Sequence, residues 1–463
     1  MQIQHVLVLL VVLFVLGGLL FTACKSTQKA TRPGSKPVSH VVHPEWSRDA
    51  VIYEVNIRQY TPEGTFKAFE EHLPRLKALG VDLLWFMPIN PIGEKNRKGS
   101  LGSYYSVRDY TGVNPEFGTL ADFKHLVNKA HEMGMHVIID WVANHTAWDN
   151  AWVKEHPDWY VKDENGDLKS PFDWTDVVKL DYNVQEMRQA MIGAMQYWLS
   201  EADIDGYRCD VAAEVPLDFW NELRPELDKI KPVFMLAEAE VPAQHEYAFD
   251  MSYAWELHHL MNSIAKKEKN ANDLQTYFLK NDTLFSPDAY RMSFITNHDE
   301  NSWNGTEYER MGDAVHTFAM LTFTLPGMPL IYSGQEAAFD RRLLFFEKDS
   351  IDWGPYPRKD FYKKLIELRK DNPALWSGLA GGEIERIKTV HPKRIFAFRR
   401  EKGDNEVVVI TNLGDSTINV PLKNILGKKD WKDLETGSEW VEGGSIDLLM
   451  HPWEYRVLFR YKD

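Results

Sequence analysis

An arginine and an aspartate two positions apart, Arg208 and Asp210, lie in the run Asp205-Gly-Tyr-Arg-Cys-Asp210. On a short strand, the guanidinium would hold the Asp210 carboxylate in its ionised form and keep its pKa low. An ionised, positioned carboxylate can act as a nucleophile in covalent catalysis. Asp210 is therefore the first candidate catalytic residue, whereas Cys209 is interpreted as strand core without a catalytic role.

Other polar residues of catalytic type occupy similar positions in the chain. Each follows a short apolar run, and they are Asp140 with Asn144 and His145, Glu238, and Asn297-His298-Asp299. Any one of these residues alone would be more typical of a helix cap or a surface group. Their shared position after apolar runs requires an explanation from the fold.

The composition indicates a large globular protein with an unusual number of aromatic side chains. The chain has 463 residues, of which 44% are hydrophobic, 26% charged and 13% aromatic, with 16 Trp. This length predicts a large catalytic domain with one or two smaller units. The net charge of -15 argues against nucleic acid as a partner, because phosphates would be repelled, and it favours a neutral or cationic ligand.

The N-terminus predicts export and lipid attachment. An apolar stretch from Val6 to Phe21 ends in Phe21-Thr22-Ala23-Cys24, which resembles a lipoprotein cleavage box. Residues 1–23 are interpreted as a signal peptide, Cys24 as the lipid anchor and residues 24–45 as a solvated tether. The alternative is a plain membrane anchor. Both interpretations predict a cell-envelope protein outside the cytoplasm, in the periplasm or at the outer-membrane surface. With Cys24 acylated, Cys209 is the one cysteine left in the sequence, so no intrachain disulfide can form.

From Trp46 onward, helical stretches alternate with short apolar runs. Runs without polar alternation are typical of parallel strands that helices cover on both faces. Seven such strands are predicted, at 51–55, 81–86, 136–140, 206–210, 233–237, 291–295 and 329–332. An eighth is expected between His245 and Asn281, with Ala248 to Met251 as its candidate. The prediction is a (β/α)8 TIM barrel over residues 46–378.

Two segments interrupt this alternation. Residues 146–183, after the third strand, form a long loop rich in Trp, Asp and Pro, and loops of this length are usually functional. They are predicted to be a small inserted loop domain. After about residue 378 the pattern alternates with period two, as in Glu406-Val-Val-Val-Ile-Thr411, which predicts a C-terminal antiparallel β-sandwich over residues 379–463.

Catalytic residues of such barrels lie where strands give way to loops at their C-terminal ends. Asp140, Asp210, Glu238 and Asp299 all fall at or just past a predicted strand end. We therefore expect these acids to converge on one mouth of the barrel.

Four ordered segments resemble the signature regions of the α-amylase family of glycoside hydrolases (glycoside hydrolase family 13). They are Asp140-Trp-Val-Ala-Asn-His145, Gly206-Tyr-Arg-Cys-Asp210, Glu238 and Phe294-Ile-Thr-Asn-His-Asp299. The resemblance covers about residues 46–375.

The resemblance implies a retaining mechanism with a carboxylate nucleophile and a carboxylic acid on opposite faces of the sugar. Asp210 would be the nucleophile, Glu238 the acid and later base, and Asp299 a stabiliser of the transition state. Sugar hydroxyls would contact His145 and His298, each as a neutral imidazole, and Tyr105 would stack on the sugar, although Tyr104 leaves the register open by one. Arg208 completes the substrate-binding set.

The segment after Asp210 lacks the Lys-His that many α-amylases carry, which removes support for their usual calcium site. Asn144 could still be a ligand, with Asp173 or Asp181. The reaction itself requires no cofactor. The aromatic side chains of the inserted loop could narrow the cleft or merely pack the loop, and they include Trp148, Trp152, Trp159 and Trp174.

Three functions follow from these residues. The first is hydrolysis of α-1,4 bonds in starch-type glucans or malto-oligosaccharides through a covalent glycosyl-aspartate. The second is transglycosylation, or action on sucrose or trehalose, with the same chemistry. The third is a tethered glucan-binding protein without catalysis. The expected partner is the glucan; nucleic acid is excluded, contact with a membrane is limited to the anchor, and the oligomeric state is left open.

Overall fold

The computed structural model describes residues 36–422, 431–440 and 446–461. The predicted signal peptide and Cys24 lie outside the described residues. Within the described ranges, no helix is both long enough and apolar enough to cross a membrane.

Eight parallel strands close into a barrel, as predicted. They are β1 (Ile52–Val55), β2 (Leu83–Phe86), β3 (His136–Trp141), β4 (Gly206–Cys209), β5 (Phe234–Ala237), β6 (Met251–Tyr253), β7 (Tyr290–Ser293) and β8 (Met328–Tyr332). Neighbouring strands follow chain order, and β1 pairs with both β2 and β8. The eighth strand expected near residues 248–251 is β6, displaced so that only Met251 is shared.

Helices cover the outside of this barrel. The longer ones are Leu73–Leu79, Leu120–Glu132, Gln185–Ala202, Leu217–Asp228, Trp255–Ala265, Ala271–Leu284, Val315–Thr324 and Lys359–Asp371. Shorter helices are Ile57–Tyr60, Phe66–Glu70, Ala151–Glu155 and Glu307–Met311. The helix Leu120–Glu132, which precedes β3, begins with a capping box between Thr119 and Asp122, so its first N–H groups are satisfied locally.

A short two-stranded antiparallel sheet joins the two ends of the inserted loop after β3. His145–Ala147 pairs antiparallel with Val177–Lys179. Trp152 and Trp159 pack against each other inside the loop, with ring centroids 5.2 Å apart. These two tryptophans therefore pack the loop, as one of the two alternatives supposed.

The C-terminal region forms the predicted antiparallel sandwich. Its strands are β9 (Ile384–Ile387), β10 (Ile395–Lys402), β11 (Asn405–Asn412), β12 (Ile418–Leu422), β13 (Trp431–Asp433), β14 (Glu439–Trp440), β15 (Ile446–Met450) and β16 (Tyr455–Arg460). Six of them form one sheet in the order β9-β10-β11-β16-β13-β14, and β12 pairs with β15.

The alternation seen in the sequence gives the larger sheet two apolar faces. One face, with Ile395 and Val408, packs on the β12–β15 pair. The other joins the barrel core, where Phe396 stacks on Phe278 at 6.4 Å between ring centroids. The hydrophobic core of the barrel thus extends into the sandwich.

The predicted tether is corrected for its described part. The Ser39 hydroxyl donates to the His245 carbonyl (2.7 Å), Val41 is buried, and His43 forms an ion pair with Asp250 at 2.8 Å. Residues 39–43 are therefore bound to the barrel and not free in solvent. His43 pairs with a carboxylate of the barrel and Val41 supplies a buried apolar side chain, and the composition alone did not reveal either contact.

Candidate active site

Arg208 at the end of β4 is the centre of the candidate site. Its Nη1 lies 2.9 Å from Asp140 Oδ1 and 3.0 Å from Asp210 Oδ1, and its Nη2 lies 3.0 Å from Glu238 Oε2. Strands β3, β4 and β5 are neighbours, and the three acids stand at their C-terminal ends. The structure thus brings together the predicted nucleophile and acid on one buried guanidinium.

The four acids of the mouth differ in their access to solvent. The Asp140 side chain is 0% exposed, whereas those of Asp210 and Glu238 are 10% and 14% exposed. Asp299 is more open, at 32%. Asp140 is therefore a positioning group, while the other three acids are open to the cleft.

Asp140 anchors the base of the site. Its Oδ2 accepts from the Trp85 indole N–H at 3.3 Å and from the Tyr105 hydroxyl at 3.0 Å. Burial outweighs Arg208 and raises the pKa of Asp140 to about 6. Arg208 and His298 limit this rise, so the carboxylate is mostly ionised at pH 7.

Glu238 is also held by the main chain. The Val211 N–H donates to Glu238 Oε2 at 2.8 Å. Val211 has φ 37°, in the left-handed region that a β-branched residue rarely adopts. This backbone conformation follows the nucleophile position directly, and strained residues of this kind cluster at functional sites.

The prediction that Arg208 keeps the pKa of Asp210 low is wrong. Burial and the Glu238 carboxylate raise that pKa well above its usual range, and Arg208 offsets only part of the rise. The reason is that one cation serves three carboxylates. The Asp210 carboxyl therefore binds a proton more readily than a free aspartate does.

His298 is charged, which corrects the prediction of a neutral ring. Its Nδ1 contacts Glu54 Oε1 at 2.5 Å, and its Nε2 lies 2.7 Å from the Tyr105 hydroxyl and 3.3 Å from Asp299 Oδ2. Burial opposes the charged form, but Asp299 and Glu54 together raise the pKa of His298 to about 9. The ring is a cation at neutral pH because two carboxylates flank it.

His145 behaves as predicted, as a neutral ring. Burial lowers its pKa to about 3. Its ring hydrogen-bonds the main chain of Tyr105 and lies edge-on to Trp174, with centroids 5.5 Å apart. It therefore borders the site beside Tyr105, and its chemistry is that of a hydrogen-bonding group.

The register between Tyr104 and Tyr105 is settled by the geometry. The Tyr105 hydroxyl reaches Asp140 and His298, whereas the Tyr104 ring is buried beneath the Arg58 guanidinium, 4.2 Å from its centroid. Tyr105 is thus the tyrosine of the site.

Two of the candidate calcium ligands, Asn144 and Asp181, have hydrogen-bond partners within the chain. The Asn144 amide lies 3.2 Å from His145 Nδ1, and Asp181 accepts from the Asn183 main chain at 3.0 Å as a local turn. No group of three or more His, Cys, Asp or Glu among the described residues could hold a metal ion. Ca²⁺ takes six to eight oxygen ligands, which include amide and main-chain carbonyl oxygens, so a calcium ion at Asn144 stays a prediction.

The sequence did not reveal three further members of the site. Glu54 on β1 holds His298, Trp85 on β2 holds Asp140, and the Tyr253 hydroxyl on β6 accepts from Arg208 Nε at 3.1 Å. A carboxylate inside the apolar run Val51-Ile-Tyr-Glu-Val55 was the one available signal.

The fold and the site define an enzyme of the glycoside hydrolase class, and the chain belongs to the alpha-amylase catalytic-domain family. The family model matches residues 47–179 and 155–350.

Two relatives and one solved structure show how the similarity is distributed. Alpha-amylase MalA of Haloarcula japonica is 28% identical over 428 residues, which cover 88% of this chain and 61% of MalA. An alpha-1,4-glucan:maltose-1-phosphate maltosyltransferase of Rhodospirillum rubrum is 36% identical over 219 residues, 42% of this chain and 31% of the relative. The crystal structure of the noncanonic maltogenic alpha-amylase AmyB from Thermotoga neapolitana superposes with TM-score 0.80 at 30% identity, covering 89% of this chain and 98% of AmyB.

Proposed function

We propose that the protein is a retaining hydrolase of α-1,4-glucosidic bonds in starch-type glucans or malto-oligosaccharides. One observation carries the proposal: Asp210 and Glu238, at neighbouring strand ends and partly open to the cleft, share the guanidinium of Arg208. Relatives named as alpha-amylase and maltogenic alpha-amylase support the substrate class.

The mechanism needs one proton and one negative charge on this pair. With the proton on Glu238, the Asp210 carboxylate attacks the anomeric carbon while Glu238 donates its proton to the leaving glycosidic oxygen. A covalent glycosyl-aspartate results. Glu238, now ionised, takes a proton from water, whose oxygen attacks the anomeric carbon and releases Asp210. The configuration at that carbon is inverted twice and so retained.

The remaining groups position the sugar. Asp299 would accept from sugar hydroxyls and stabilise the positive charge of the transition state. The charged His298 has Nε2 beside the Tyr105 hydroxyl, and this N–H would donate to a sugar hydroxyl in place of that contact while Glu54 holds the other ring nitrogen. His145 and Tyr105 would border the same sugar, and no step requires a metal ion.

The test uses two variants and a matched control. Asp210→Asn and Glu238→Gln should each lower kcat on maltotriose and starch by a factor of about 10² to 10⁴. Asp415→Asn, an aspartate paired with Lys267 on the surface, should keep wild-type activity. Proton NMR of the first product should show the α-anomer. Full activity of either acid variant, or a β-anomer as the first product, would refute the mechanism. A wild-type protein that releases no reducing sugar from any α-glucoside would leave glucan binding alone as the function.

A transfer reaction is the second candidate, because the Rhodospirillum rubrum relative is named as a maltosyltransferase. In that case a sugar hydroxyl replaces water in the second step. Product analysis at low and high malto-oligosaccharide concentration, with sucrose and trehalose as further substrates, separates the two. Products longer than the substrate that dominate at both concentrations would favour transfer.

We also propose that the protein is attached to the cell envelope through an acylated Cys24, outside the cytoplasm. The apolar stretch followed by Thr22-Ala23-Cys24 supports this proposal. Membrane fractionation of the wild type and a Cys24→Ala variant tests it. The wild type should sediment with membranes and the variant should be released; equal sedimentation of both would favour a plain membrane anchor.

A further inference from the structure

Trp303 is a large aromatic side chain left open beside the site. It is 51% exposed and lies on the π-helical turn Glu300–Asn304, which directly follows Asp299. Turns of this kind are rare and occur often at functional sites.

Aromatic rings connect Trp303 with Tyr105. The Phe345 ring centroid lies 5.2 Å from that of Trp303, and 6.3 Å from that of Tyr105 with an interplanar angle of 11°. Phe346 supports Trp303 from a second position, at 5.8 Å. An aromatic surface therefore extends from the hydroxyl-bonded Tyr105 outward along the rim of the barrel.

Hydrogen bonds hold this aromatic surface in place. The Asn301 amide donates to the Arg341 carbonyl at 3.1 Å and accepts from the Leu343 N–H at 2.8 Å. Arg341 forms two hydrogen bonds of 2.8 Å with Asp349, and the Leu101 N–H donates to the Phe346 carbonyl at 3.0 Å. The loops that carry Tyr105, Trp303 and Phe345 are thereby joined, so the surface is preorganised.

We propose that Trp303, supported by Phe345, stacks on a glucose unit next to the one held at Tyr105 and makes the enzyme favour longer glucans. A pyranose ring presents an apolar face of C–H groups, which matches an exposed indole. A rigid aromatic side chain also loses little conformational entropy on binding. This inference rests on the proposed α-glucan hydrolysis and adds a specificity-determining residue to it.

The test measures the dependence on chain length. For Trp303→Ala, kcat/KM on maltoheptaose should fall about tenfold, mainly through a higher KM. A tenfold change corresponds to about 1.4 kcal/mol, the size expected for the loss of one aromatic contact with the sugar. The fall should become smaller with maltotriose and smallest with maltose. Trp303→Phe should recover most of the lost kcat/KM, since it keeps a flat ring.

Tyr247→Ala is the matched control, because Tyr247 is similarly exposed, at 48%, and precedes β6 at the opposite end of the barrel. It should retain the wild-type profile for all substrates. Equal losses on maltose and maltoheptaose in Trp303→Ala, or none, would overturn the stacking role of Trp303 while wild-type hydrolysis stands. A wild type that cleaves none of these substrates would overturn the proposed function and the stacking role with it.

Discussion

Removal of the central cation by Arg208→Met should destabilise the protein in a pH-dependent way. Arg208 is fully buried and contacts three carboxylates. Loss of one partner of a buried ion pair costs about 3 to 5 kcal/mol. Asp140 keeps its Trp85 and Tyr105 donors, so we expect a loss in unfolding free energy near the lower value, about 3 kcal/mol at pH 7.

The pH dependence follows from Asp140, whose pKa is about 6 with Arg208 in place. Without the cation the pKa of Asp140 rises further, so at pH 7 the Asp140 carboxyl is protonated in the variant and ionised in the wild type. As the pH falls through 6, the wild type takes up the same proton and the difference shrinks. One pKa unit corresponds to about 1.36 kcal/mol, so the loss should decrease by about 1 kcal/mol between about pH 7 and pH 5.5.

The assay is urea unfolding, followed by circular dichroism at both pH values. Arg400→Met is the matched control, because Arg400 is equally buried but donates to main-chain carbonyls such as those of Gly382 and Leu325. It should also lose stability, equally at both pH values. An unchanged stability of the Arg208→Met variant, or a loss that does not vary with pH, would refute the reasoning.

Three further predictions concern charge, backbone geometry and metal. The pKa of His298 is raised from 6.5 to about 9, so the stabilisation that its charged ring contributes is complete below pH 6.5 and is lost as the pH rises through 9. The difference in unfolding free energy between wild type and His298→Asn should therefore shrink by about 3 kcal/mol from about pH 6 to pH 10. Gly206→Ala should reduce the yield of folded protein, because a Cβ there would lie 1.9 Å from the Phe234 carbonyl oxygen, whereas Gly193→Ala, in open space on a helix, should raise the unfolding free energy by up to about 1 kcal/mol. Dialysis against EDTA should leave hydrolysis of maltotriose unchanged, because no step of the proposed mechanism uses a metal ion, and a loss restored by Ca²⁺ would contradict this expectation.

Strands with unbroken apolar runs could be predicted from the sequence, whereas a short strand that contains a polar residue could not. The run His136-Val-Ile-Ile-Asp140 has no alternation, as expected for a strand buried on both faces. By contrast, β6 is only Met251-Ser-Tyr253 and contains a polar residue. Its strand conformation depends on pairing with β5 and β7, which local sequence does not encode.

The sequence predicted which strand-end residues lie together in the candidate site, but not which of them carry protons. The residues that follow each strand were visible because parallel strands place their ends at one mouth. Glu54 was not visible, because a single carboxylate inside an apolar run gives no indication of the histidine it holds, 244 positions away.

The linear order of residues was sufficient to assign the family and the barrel and to predict that Asp210, Glu238 and Asp299 lie at its mouth, because these depend on residue type and on position relative to strands. Protonation depends instead on every charge within a few ångströms and on burial. Only the folded chain brings Asp140 and Glu238 to the guanidinium beside Asp210, and Glu54 to His298. Tertiary structure therefore decided which groups carry protons, and it placed Trp303 at the rim.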